Sequence, residues 1–124
     1  MNKPKFEFLN YMQETEIAGI PFTVDCSSRT GDYLKAMSEE IRELTDAVAR
    51  DEADADAVVN LGTEIINHVL GEDAADRIFG DRERDASDVL DILTFITFTV
   101  AEFAGERARI IREMVSGEEN AGDH

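Results

Sequence analysis

From residue 92 to residue 101 the chain reads ILTFITFTVA and carries no charge, although charged residues make up 32% of the sequence. A segment apolar all round has to be covered on several sides, by its own chain or by another. Two structures compete for it. Thr94, Phe95, Ile96, Thr97, Phe98, Thr99 and Val100 are β-branched or aromatic, which suits a strand. Helix is the preferred reading, because Asp85 is a good N-cap residue, Asp88 is an acidic N3, and alanine- and arginine-rich sequence continues to residue 115. Val89, Ile92, Leu93, Ile96, Val100 and Phe103 then share one stripe, while Phe95 and Phe98 point away from its centre. The polar, glycine-containing residues 116–124 read as a flexible tail.

The remaining elements follow from periodicity. Residues 6–8 and 16–25 alternate apolar and polar side chains around a glycine-containing turn, which predicts a β-hairpin over about 6–26, with Pro21 on an edge or near a strand start. Leu34, Met37, Ile41, Leu44 and Val48 recur at helical spacing and predict a one-sided helix over about 28–50. The acidic run at residues 50–56 is either a solvated loop or the first turn of the next helix, about 54–70, where carboxylates suit the helix dipole. Val58, Leu61, Ile65, Ile66, Val69 and Leu70 cover nearly half of that helix, and Gly62 lies within the apolar arc. A glycine there costs roughly 1 kcal/mol against alanine, which implies close approach of a neighbouring helix. Gly71 ends the helix as its C′ residue.

Between Gly71 and Arg82 stands GEDAADRIFGDR, a helix of about 72–79 flanked by glycines and too short to stand alone, so Ile78 and Phe79 must dock onto something. The chain is therefore expected to be α+β and mainly α. It forms a single domain over residues 1–115, an N-terminal hairpin packed on about four helices with the third one short.

Twelve basic against 28 acidic side chains leave a net charge of −16. Such a field repels nucleic acid and anionic membrane and favours basic partners or solubility. No apolar run approaches the roughly 20 residues of a bilayer span, and residues 1–4 open no signal sequence, so the chain is expected in the cytoplasm. One cysteine, Cys26, gives no internal disulfide and no zinc pattern, and reads as structural. His68, on the edge of the second helix's apolar arc, reads as a packed surface residue, since no second ligand lies near it in sequence. No metal site and no cofactor is implied.

The enzyme-like feature is Glu39-Glu40-Ile41-Arg42-Glu43, an EExxE, with Asp88 in a later acidic stretch. Clustered carboxylates on helices hold Mg²⁺, which can organise a pyrophosphate. The pattern partly resembles all-α nucleotide pyrophosphohydrolases of the MazG type, and under that alternative Glu39, Glu40, Glu43 and Asp88 would be the metal-holding, catalytic residues. On helical projection Glu39 and Glu43 lie about 170° and about 130° from the apolar stripe. The plainer reading is a solvated acidic face laced by Glu39–Arg42 and Asp46–Arg50 pairs. A third reading, an acidic decoy that imitates DNA, rests on net charge alone.

The order of features carries another resemblance. An Ile-Ala-Gly-Ile-Pro-Phe-Thr-Val-Asp hairpin, a helix, an apolar helix, LGEDAADRIFGDR at residues 70–82 and a long last helix are similar to the small tail assembly chaperones of long-tailed phages and prophages of Gram-positive bacteria. The most specific part is close to that family's LGEGA…(K/R)(I/L)F…DR. Asp73 stands where the family tends to have glycine. The resemblance implies a non-catalytic protein of the bacterial host's cytoplasm that coats the tape measure protein in several copies and keeps it soluble. It would give way as the tail tube protein polymerises, and it would form a homo-oligomer. Ile78, Phe79, Arg82, Phe95 and Phe98 are then the candidate contact residues. Of these, Phe79 is expected to close the chain's own core while the neighbouring charges shape the contact surface.

Overall fold

The computed structural model describes the backbone of residues 4–123 and the side chains of residues 4–116. Two antiparallel strands, β1 (Met12–Ile17) and β2 (Ile20–Asp25), precede four helices: α1 (Ser28–Ala49), α2 (Ala55–Leu70), α3 (Ala74–Phe79) and α4 (Ala86–Asp123). The mainly helical α+β architecture matches the expectation from sequence.

The hairpin turns through Ala18 and Gly19, both at positive φ (53° and 79°), as a tight two-residue connection between twisted strands requires. Its register pairs Thr15 with Phe22 and Ile17 with Ile20. Ile17, Phe22 and Val24 face inward and are buried, whereas Pro21 and Thr23 are exposed. The first strand starts at Met12, later than the predicted 6. The partner strand ends at Asp25, opposite Met12, and Asp25 then turns to accept the Ser27 N–H on its carboxylate at 2.9 Å. Beyond Tyr11, whose carbonyl accepts the Cys26 N–H at 2.9 Å, residues 4–10 have no strand to pair with. Phe6 and Phe8 stand exposed and pack edge to face on each other instead, 4.9 Å between centroids.

Helix α1 buries Leu34 and packs Met37 and Ile41 against the core. It stops at Arg50 because Asp51 takes a left-handed conformation (φ 63°). The Arg50 side chain turns to Glu52 at 3.3 Å, so the expected Asp46–Arg50 pair does not form. The acidic run resolves into both of its expected forms: residues 51–53 are loop, and Asp54 is the N-cap of α2, accepting the Asp56 N–H on its side chain at 3.0 Å.

Helix α2 is the hub, with contacts to α1, α3, α4 and β2. It buries Val58, Gly62, Ile65 and Ile66 and ends at Gly71, whose φ of 123° is open to glycine. Gly62 is where α4 comes in: a Cβ built there would lie 2.2 Å from Val89 Cγ1 and 3.4 Å from Leu93 Cδ1. The neighbouring helix that glycine implied is α4.

The charge-free segment is helical, and α4 continues past residue 115. The polar tail expected over 116–124 is helix as far as Asp123, with His124 outside the described residues. No proline stands in that stretch, and two interior glycines weaken a helix without stopping it. This chain covers one side of the segment: Val89, Leu93, Ile96 and Val100 are buried, whereas Phe95 and Phe98 are 42% and 63% exposed.

Replacing Gly62 by alanine gains roughly 1 kcal/mol of helix propensity yet drives a methyl into fully buried Val89, which cannot move aside. Net destabilisation of about 1–2 kcal/mol in urea denaturation is the expected outcome, with part of it recovered in the Gly62→Ala/Val89→Ala double variant.

Candidate functional site

The short helix α3 docks at home. A backbone donor of its first turn gains an acceptor from α2, because Asn67 Oδ1 accepts the Ala75 N–H at 2.9 Å. Ala74, Ala75 and Phe79 are buried, and Gly80 (φ 55°) turns the chain away. Phe79 is only 6% exposed and belongs to the core, so as a partner contact it is withdrawn. Ile78 is half-buried against the same core. The arginines nearby serve these aromatic rings: Arg77 lies over Phe22 at 4.8 Å and Arg84 over Phe79 at 5.5 Å, while Arg84 also pairs with Asp76. Arg82 is exposed and reaches Asp88 at 3.2 Å.

That last pair bears on the carboxylates. Asp88 is tied to the elbow between α3 and α4, whereas Glu39 and Glu43 lie on the outer side of α1. Glu64 and Glu40 both act electrostatically on the Tyr33 hydroxyl. Burial first, then these two carboxylates, raise the Tyr33 hydroxyl above its ordinary pKa of 10.0. Among the described residues no three His, Cys, Asp or Glu side chains stand close enough together to hold a metal ion. His68 is exposed and stacks on Tyr33, 4.0 Å between ring centroids.

A different feature has the form of a binding site. Between α1 and α4, over Ile65 of α2, runs an open groove of about 440 Å³. Leu34, Met37 and Ile41 form one wall; Leu90, Leu93 and Phe98 form the other. Two of its three hydroxyl-bearing residues lose polarity to their own helices: Ser38 donates to the Leu34 carbonyl at 2.7 Å and Thr94 to the Leu90 carbonyl at 2.9 Å. Among the described residues Arg42 is the one ionisable residue along it. A groove of this size with apolar walls and no converging acid, base or nucleophile is suited to holding apolar side chains, not to moving protons.

The groove escaped the sequence reading. Helical stripes show which residues face inward but not how far apart two helices stand, and the visible clue was only the small or short side chains Ser38, Thr94, Thr97 and Ala101 along the facing flanks. Phe98 was found because it breaks the stripe, and it forms part of the groove wall. Phe95, one turn closer to Asp91, is exposed outside it.

The chain matches no protein-family model, and neither curated proteins nor solved structures provide a match. Among the described residues no helix is long and apolar enough to cross a membrane.

Two phenylalanines of α3 and α4 should behave oppositely. Phe79→Ala is expected to lower unfolding free energy by about 3–5 kcal/mol, and Phe98→Gln to change it by no more than about 0.5 kcal/mol, both read from urea midpoints.

Alkaline stability follows from Cys26 and Tyr33. Burial, then the Asp25 carboxylate, raises the Cys26 thiol above its ordinary 9.0, as burial raises Tyr33 above 10.0. Both groups therefore lose their protons more readily in the unfolded chain, so stability is flat with respect to them below about pH 9 and falls above it. Cys26→Ala is expected to move the onset of that fall towards pH 10, as followed by thermal unfolding across a pH series.

Proposed function

We propose that this chain is a phage or prophage tail assembly chaperone, a non-catalytic protein that binds an apolar helical segment of the tape measure protein and keeps it soluble. The observation that carries the reading is the open apolar groove between α1 and α4, with Phe98 on its wall and no converging ionisable set inside it. An amphipathic helix laid into such a groove anchors through apolar side chains spaced three and four residues apart. Exposed acids on the same two helices, Glu39, Glu43 and Asp91 among them, favour a partner whose outer face is basic.

The resemblance of LGEDAADRIFGDR to the family motif supports the identity of the partner, and the position of that motif supports its role. The motif builds the elbow that leads into α4 and pairs Arg82 with Asp88 near its start, and α4 in turn supplies one wall of the groove. A net charge of −16 keeps a multi-copy coat soluble while it presents apolar surface. In this reading the protein acts in the host cytoplasm, in several copies per tape measure chain, and yields to the tail tube protein.

Co-expression with the tape measure protein of the same genome, followed by size-exclusion chromatography with light scattering, tests the reading. The expected result is a soluble complex holding many copies of this chain. Phe98→Glu should abolish that complex while leaving the melting temperature of the free protein unchanged, since Phe98 contributes nothing to the buried core. A tape measure protein that stays insoluble while this chain elutes alone would overturn the proposal.

A further inference from the structure

The arm that precedes the hairpin leaves the fold at one end of the groove. Tyr11 is its anchor: the Tyr11 carbonyl accepts the Cys26 N–H at 2.9 Å, two residues before α1 begins, and the Tyr11 ring meets Phe103 of α4 at 5.8 Å. These are the two helices that wall the groove. A Cβ at Gly31 would lie 3.9 Å from Val100 Cγ1, so the start of α1 stands at Val100, one turn before Phe103. From there the groove runs along α1 towards Ile41 and back along α4 towards Leu90.

The arm suits that groove in length and in chemistry. Extended, residues 4–10 span up to about 23 Å, and α4 rises about 20 Å between Phe103 and Leu90. Phe8, three residues from Tyr11, reaches about 10 Å along this path and Phe6 about 17 Å. Phe6 and Phe8 are 77% and 89% exposed, the two most exposed large apolar side chains among the described residues. Two apart in an extended chain, their rings fall on one side and Glu7 on the other. With both rings turned into the groove, Glu7 faces outward beside Arg42, which is in no ion pair among the described residues. One movement would thus take two apolar surfaces out of water together.

We propose that residues 4–10 are the groove's own occupant in the free chain: the arm folds back between α1 and α4, seats Phe6 and Phe8 on the apolar walls, and must leave before a partner helix enters. The exposed arm, with its two rings packed on each other, is then the open form. This regulation rests on the reading of the groove as a site for apolar side chains. A tether so short holds the arm at an effective concentration in the mM range, so contacts too weak to hold a free peptide still fill the groove. An incoming helix binds more weakly in proportion to the fraction of chains that are open, which reserves the groove for a segment that outcompetes two phenylalanines.

Met37 supplies the test, because of the chain's four methionines it is the one that lines the groove. Nuclear Overhauser spectra of the full chain, labelled with ¹³C at the methionine methyl groups and with no partner added, should show cross-peaks from the Met37 methyl to the arm's phenylalanine rings. In Phe6→Ser/Phe8→Ser those cross-peaks should vanish and the Met37 line should move, while the line of Met114, far out on α4, stays in place. The cross-peaks should be equally strong from about 20 μM to about 500 μM, as a contact within one chain requires. A Met37 methyl with no cross-peak to either ring and a line unmoved in the double variant would overturn the proposal. Cross-peaks that grow with concentration would overturn it too, since they place the arm of a second copy in the groove. No tape measure protein takes part, so co-expression can fail while this measurement succeeds, and the reverse.

Discussion

The contact between Val89 and the bare backbone at Gly62 sets the spacing on which the other packing rests. A methyl-bearing residue in place of the glycine would have its Cβ 2.2 Å from a Val89 methyl carbon, so α4 can lie on α2 at this distance only because one helix has no side chain there. Helix α1 reaches the same hub through Leu34 and Ile65. With both outer helices seated on α2, their facing flanks carry short side chains that do not fill the space between them, and the groove is what remains.

Most of the architecture was legible because it is written in local patterns. The strand alternation, the glycine at the hairpin turn, the capping acids and the glycine after Leu70 each state a backbone preference that the fold satisfies. Gly62 announced a close neighbour through its cost, and the neighbour is there. What was not legible depends on distances between elements. Residues 6–8 alternate like a strand, but a strand needs a partner, and β2 ends before it can reach them. An apolar circumference implies cover for α4 on several sides, by its own chain or by another, but not which part the chain's other helices reach. Asn67 offered no hint that its amide would supply the missing hydrogen-bond acceptor for α3, since the two residues it joins are eight apart across a turn.

Helix α4 combines roles that are usually divided among elements. One side of its first half completes the core and an adjoining flank walls the groove, while among the described residues none after Phe103 packs against the core. At 1.5 Å per residue its 38 residues span about 57 Å, well beyond the core that its first half serves. The elbow at residues 71–84 leads into this arrangement: it buries Phe79 of α3 in the core, sets Arg77 and Arg84 over two aromatic rings, and ties Arg82 to Asp88 near the start of α4. Rigidity at that elbow keeps the exposed apolar parts of α4 separate from the parts that hold the fold.

Cys26 gives this molecule an internal gauge. Its thiol is the single one in the chain, is 3% exposed, and lies where the hairpin joins the helices, with its own N–H held by the carbonyl of Tyr11. An alkylating reagent in solution can reach that sulfur only while the hairpin has lifted from the helical body, because the thiolate that reacts must first be formed in water. The speed of labelling therefore counts openings of the hairpin one molecule at a time, with no second cysteine to confuse the reading.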